Sequence, residues 1–147
     1  MCCKDFRNNH SDKNDCFENK TSAAEKQRKF RIERVSKPDE TFCRIKVDGC
    51  FIVDNNSKKC DYIFVRCENH DMYYVELKGL DIDTAYQQII TTIQQHFNAE
   101  KSQIHGFIIT SKGIPSSNAK RRKMEEEFVK KYGKKLKFEK SPCIHKI

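Results

Sequence analysis

Apolar positions along this chain gather into short runs separated by polar stretches, and the spacing inside each run predicts the element it forms. Residues 1–20 are rich in Asn, Asp and Lys and show neither helical nor alternating periodicity, so they read as a flexible polar arm. Residues 21–35 hold no Gly or Pro. Thr21 or Ser22 can cap, and Ala23, Gln27, Phe30 and Arg34 recur at turn spacing, which predicts an amphipathic helix stopped by Pro38. Residues 41–47 alternate apolar with polar and lead through Asp48-Gly49 into residues 50–53, predicting a first hairpin.

Two further runs, residues 60–66 and 72–78, have the length and the aromatic and β-branched content of strands and are joined by residues 67–71. Gly79 ends the second run, Asp81 is placed to cap, and Ile82, Ala85, Ile89, Ile93 and Phe97 form one stripe of a helix. Residues 104–110 read as a buried strand. Residues 114–118 read as a loop and cap, Met124, Phe128 and Tyr132 as the apolar side of another helix closed by Gly133, and residues 135–139 as a last edge strand. The order, helix, strands, helix, strand, helix, strand, predicts an α/β domain over residues 21–147 with a mixed central sheet flanked by helices.

At 147 residues with ten Phe and five Tyr, the chain can fill one modest core, despite 34% charged residues. No apolar stretch approaches the roughly 20 residues that span a bilayer, and the first residues lack the apolar segment of a secretory signal. A cytoplasmic protein without a membrane partner is expected. Its eight cysteines would fit four disulfides, yet Cys43, Cys50, Cys60 and Cys67 fall in or beside strand-like runs, where free thiols act as small hydrophobes; mostly free thiols are therefore expected. Only the loose pairs Cys67/His70 and Cys143/His145 offer zinc-like spacing, so no zinc site is expected.

Candidate chemistry lies in the middle hairpin. A turn at residues 67–70 pairs residues whose numbers sum to 137 and sets Asp61 opposite Glu76. Asp61, Ile63 and Val65 then share a face with Tyr74, Glu76 and Lys78. Opposed carboxylates repel unless something positive sits between them. Lys78 alone could neutralise both as a salt-bridged triad; a divalent cation is the other answer, and Mg²⁺ commonly takes one or two carboxylates and leaves its other positions to water and phosphate.

The segment Cys60-Asp61, followed after an interval by Glu76-Leu77-Lys78-Gly79 and then a helix, resembles the PD-(D/E)XK nuclease superfamily. The resemblance covers roughly residues 20–140. It implies a restriction-endonuclease-like αβββαβ core of three layers and a Mg²⁺-dependent nuclease in which Mn²⁺ can substitute. Asp61, Glu76 and the Leu77 carbonyl would be metal ligands, and Lys78 would orient water and stabilise charge. Gln88 would be a polar residue sent from the following helix, or else a solvated flank of its stripe. The Pro of the motif is replaced by Cys60. Where the superfamily adds a Glu from the first helix, Glu33 and Glu25 are both available, Glu33 nearer the first strand, and Asp48 is another acid for a second metal.

A formal charge of +8 points toward an anionic partner. Lys120, Arg121, Arg122 and Lys123 occupy a helix's first turn, where the macrodipole disfavours cations, so this run reads either as a nucleic-acid contact or as a solvated face paired with Glu125, Glu126 and Glu127. Lys26, Arg28, Lys29, Arg31 and Arg34 form a second basic run. DNA is the expected partner, with a homodimer cutting both strands. The contrasting reading is a non-catalytic binding or immunity-like module that keeps the fold.

Overall fold

The computed structural model describes residues 3–8, 10–25, 28–36, 38–54, 58–78 and 81–147. Among the described residues the strands are β1 (Phe17–Glu18), β2 (Ser22–Glu25), β3 (Arg28–Glu33), β4 (Phe42–Lys46), β5 (Tyr62–Arg66), β6 (Met72–Leu77), β7 (Ile104–Thr110), β8 (Lys137–Lys140) and β9 (Cys143–Lys146), and the α-helices are α1 (Lys4–Asn8), α2 (Ile82–Gln95) and α3 (Ala119–Tyr132). A six-stranded mixed sheet runs β1-β4-β5-β6-β7-β8, and a three-stranded sheet runs β2-β3-β9. β4, β5 and β6 are antiparallel neighbours, while β6, β7 and β8 are parallel, as the α2 and α3 crossovers require.

Alternation along the central strands divides their side chains between two cores. Ile45, Ile63, Val65, Tyr74 and Ile108 face α2 and α3, whose Ala85, Ile89 and Phe128 are fully buried against them. Phe64, Tyr73, Val75, Phe107 and Ile109 face the small sheet and pack on its Ala23, Phe30 and Ile32. The layers are therefore helices, sheet, sheet. The expected α/β architecture and mixed sheet are present, but the expected helix over residues 21–35 is not: β2 and β3 form a hairpin there, and β9 pairs parallel to β3. Phe30 and Ile32 are buried while Lys29 and Arg31 are exposed, an alternation of period two that the missing Gly and Pro had masked. Gln27 and Lys26 lie outside the described residues.

The expected first hairpin is also replaced. Residues 47–52 fold as a tight loop with a bridge between Asp48 and Ile52, and β4 pairs with β5 instead. The expected polar arm is structured: it carries α1 and a 3₁₀ turn over Ser11–Cys16, and Cys3, Cys16 and Phe17 join the helix-side core. Disulfides fasten it, Cys3 to Cys67 and Cys16 to Cys50, and Cys43 is disulfide-bonded as well. The expectation of mostly free thiols therefore fails for these residues; Cys60 and Cys143 are free and buried. No helix among the described residues is long and apolar enough to cross a membrane.

Candidate active site

The middle hairpin has the register expected of it: Tyr62 opposes Val75 and Ile63 opposes Tyr74, which sets Asp61 opposite Glu76 at the hairpin's open end. The turn at the other end is closed by hydrogen bonds from Arg66 N–H to the Asp71 carbonyl and from His70 N–H to the Arg66 carbonyl. Both carboxylates are anchored by backbone N–H groups of the facing strand. Asp61 N–H donates to Glu76 Oε1 at 3.1 Å, and Leu77 N–H donates to Asp61 Oδ2 at 2.9 Å. Asp61 Oδ1 and Glu76 Oε2 stand outside these bonds.

Glu76 is 2% exposed, and burial is the main reason its carboxyl titrates well above the ordinary range, with repulsion from Asp61 next. Asp61 is raised too, first by burial and then by the charges of Glu25 and Asp48, while the Leu77 N–H and the Lys78 ammonium pull it down. Lys78 favours the charged form of both acids. Asp48 thus acts electrostatically on both Asp61 and Glu76, Glu25 acts on Asp61, and the Lys78 ammonium opposes them at both acids.

α2 braces the approach to this site. Thr92 Oγ1 accepts the Cys60 N–H at 2.9 Å and donates to the Gln88 carbonyl at 2.7 Å. Gln88 Nε2 donates to the Lys59 carbonyl at 3.1 Å, and Gln88 Oε1 is buried without a hydrogen-bond partner among the described residues. Gln88 therefore holds the segment entering β5 rather than reaching either carboxylate through a hydrogen bond. Thr92 was not singled out in the sequence; the signal available was its place one turn after Gln88, on the same helical face.

Other expected site residues fall elsewhere. Glu33 ends β3 beside Lys146 and pairs with Arg31 at 3.3 Å. Its neighbour Arg34 donates to the Glu40 carbonyl, and Glu40 clamps Arg66 at the far end of β5, about 17 Å of strand from Asp61. Glu33 is thus not brought to the site, and Glu25 is the hairpin acid whose charge reaches it. Gly79 lies outside the described residues. In the basic run of α3, Lys120 pairs with Asp83 at 2.8 Å, Arg121 bonds the Ile114 carbonyl, pairs with Glu125 and lies over the Phe138 ring, and Arg122 and Lys123 are exposed. The four cations do not form one continuous face.

The donor set fits a hard divalent cation in one respect: two carboxylates converge from adjacent strands, the number that Mg²⁺ commonly takes from protein. Among the described residues, no group of three or more His, Cys, Asp or Glu side chains is arranged to hold a metal ion. Comparison of the chain with protein families, curated proteins and solved structures finds no match.

Proposed function

We propose that this chain is a Mg²⁺-dependent endonuclease of restriction-endonuclease-like fold that hydrolyses phosphodiester bonds of DNA at Asp61, Glu76 and Lys78. The observation that carries the reading is the facing, backbone-anchored acid pair with one ammonium beside it. The run β4-β5-β6-α2-β7, antiparallel then parallel, supports it as the βββαβ part of that core; the first helix of the pattern is replaced by the β2–β3 hairpin. Buried acids with raised affinity for protons are costly to ionise, and a divalent cation between them offsets that cost.

In this reading Asp61 and Glu76, with the Leu77 carbonyl, hold the cation, which when bound polarises phosphate and acidifies water. Lys78 supplies positive charge where the phosphorane oxygens develop charge. Gln88 and Thr92 fix the entry to β5 and so the position of Asp61. Because Cys3, Cys16, Cys43, Cys50 and Cys67 are disulfide-bonded, the reading places the protein in an oxidising compartment rather than the cytoplasm expected from its sequence.

Incubation with supercoiled plasmid, single-stranded DNA and RNA, with Mg²⁺ or EDTA, tests the proposal. The wild type cuts DNA only with Mg²⁺, and Asp61→Asn, Glu76→Gln and Lys78→Met each lower the rate at least about 100-fold. Cutting that survives all three changes would refute the assignment. The lack of a three-ligand group among the described residues favours a second reading, a non-catalytic module in which the three side chains form a polar network; no cleavage of any substrate would select it.

A further inference from the structure

A cleft of about 570 Å³ opens between the β2–β3 hairpin, the start of β9 and the side of the central sheet that carries Arg44 and Tyr62. That side is packed on the small sheet: Tyr62, Phe64 and Val75 belong to its core, whereas Ile63 and Tyr74, which share a face with Asp61 and Glu76, belong to the helix-side core. The cleft and the acid pair therefore lie on opposite faces of the sheet, and the cleft's own residues decide what it binds.

Among the described residues its lining carries four cations, Lys20, Lys29, Arg31 and Arg44, and no carboxylate; Glu25, at the end of β2, is not part of it. Two acids outside the lining serve three of these cations: Glu18 pairs with both Lys20 and Arg44, and Glu33 pairs with Arg31. Lys29 has no ion-pair partner among the described residues. An excess of two positive charges is left over. The Lys20–Glu18 and Arg31–Glu33 pairs are also exposed, so each is weakly held and free to turn to a stronger anion.

Arg44, by contrast, is held in place. It donates from Nη1 to the Ser22 carbonyl at 2.8 Å and from Nη2 to Glu18 Oε2 at 2.9 Å, which lays its guanidinium 4.9 Å over the Tyr62 ring. Charge, shape and volume together define the occupant. Two excess positive charges match a phosphomonoester, with close to two negative charges at neutral pH, better than a carboxylate with one. A floor that includes Ala23, Tyr62 and Pro142, with a planar cation fixed beside it, suits an aromatic body better than a polyol. The volume is that of a small-molecule site, roughly 300–1,000 Å³, whereas a nucleic-acid duplex is far too wide to enter.

We propose that this cleft binds a free nucleoside 5′-monophosphate, with Lys29 and Arg31 on the phosphate and the base against the Arg44–Tyr62 stack. The site is separate from the Asp61–Glu76 pair and stands whether or not that pair cleaves DNA.

Calorimetric titration in EDTA with adenosine 5′-monophosphate and uridine 5′-monophosphate, each compared with its nucleoside and with ribose 5-phosphate, tests this. At least one nucleotide binds the wild type with Kd below about 1 mM, and its nucleoside and ribose 5-phosphate bind at least about tenfold more weakly. Lys29→Glu reverses the unpaired charge, and Ala24→Trp fills the cleft from an exposed strand position. Each weakens nucleotide binding about tenfold or more, with circular dichroism showing that the variant is folded. Binding of neither nucleotide below about 1 mM, or wild-type affinity in both folded variants, would overturn the assignment. Equal binding of the nucleoside would remove the phosphate contact and equal binding of ribose 5-phosphate the base contact, and either result overturns a nucleotide as the ligand.

Discussion

Asp61 and Glu76 each spend one carboxylate oxygen on the other's strand: Glu76 Oε1 takes the Asp61 N–H, and Asp61 Oδ2 takes the N–H of Leu77, the residue after Glu76. Side-chain charge and strand pairing are therefore joined at this point, and the two can be separated by substitution.

Glu76→Gln keeps an acceptor for the Asp61 N–H and removes a charge that burial and Asp61 both oppose. Its melting temperature in EDTA should equal or exceed that of the wild type. Glu76→Ala leaves the N–H unpaired beside a cavity, a loss of about 1–3 kcal/mol and roughly 2–10 °C. Calorimetry on both variants checks the contrast.

The disulfides close chain segments with sequence separations of 64 residues for Cys3–Cys67 and 34 for Cys16–Cys50. Chain entropy gives roughly 4 kcal/mol for each, with measured values commonly about 2–5. Reduction should lower the melting temperature by about 8 °C or more and free the α1 segment to proteolysis. Non-reducing peptide mapping should recover these two linkages, with Cys60 unlinked.

His145 stacks edge-on against Phe107, and burial, aided by Lys137 and His105, brings its imidazole down to about 4. An unfolded histidine titrates near 6.5, so between pH 4 and 6.5 the unfolded chain binds more protons at this site than the folded one. Its contribution to stability is complete above about pH 6.5 and is lost as pH falls toward 4. His105 is lowered too, first by burial, and acts in the same direction. Thermal melts from pH 4 to 7 should show the wild type gaining stability with pH more steeply than His145→Gln.

The elements legible in the sequence are those whose pattern is local. The 60–66 and 72–78 runs pair in the expected register, the stripe from Ile82 to Ile93 forms α2 with Asp81 as its cap while its last expected member, Phe97, lies beyond the helix end at Gln95, and Gly133 ends α3 in the left-handed region at φ 73°. What was not legible depends on distant partners. Residues 28–33 become a strand because Cys143 to Lys146 pair beside them, and the polar N-terminal segment is ordered by thiols from loops far along the chain. The facing positions of Asp61 and Glu76 follow from the hairpin register, and Lys78 acts on both electrostatically. Which hairpin acid joins them depended on whether residues 21–35 were helix or strand, and a helix had placed Glu33 nearer than Glu25.

Titration with Mn²⁺, followed by calorimetry and by the loss of free-ion paramagnetic resonance signal, tests the central claim most directly. The wild type should bind the ion, and Asp61→Asn and Glu76→Gln should each weaken binding at least about tenfold, while Lys78→Met still binds. No uptake by the wild type at millimolar ion, or equal uptake by the wild type and both acid variants, would contradict it.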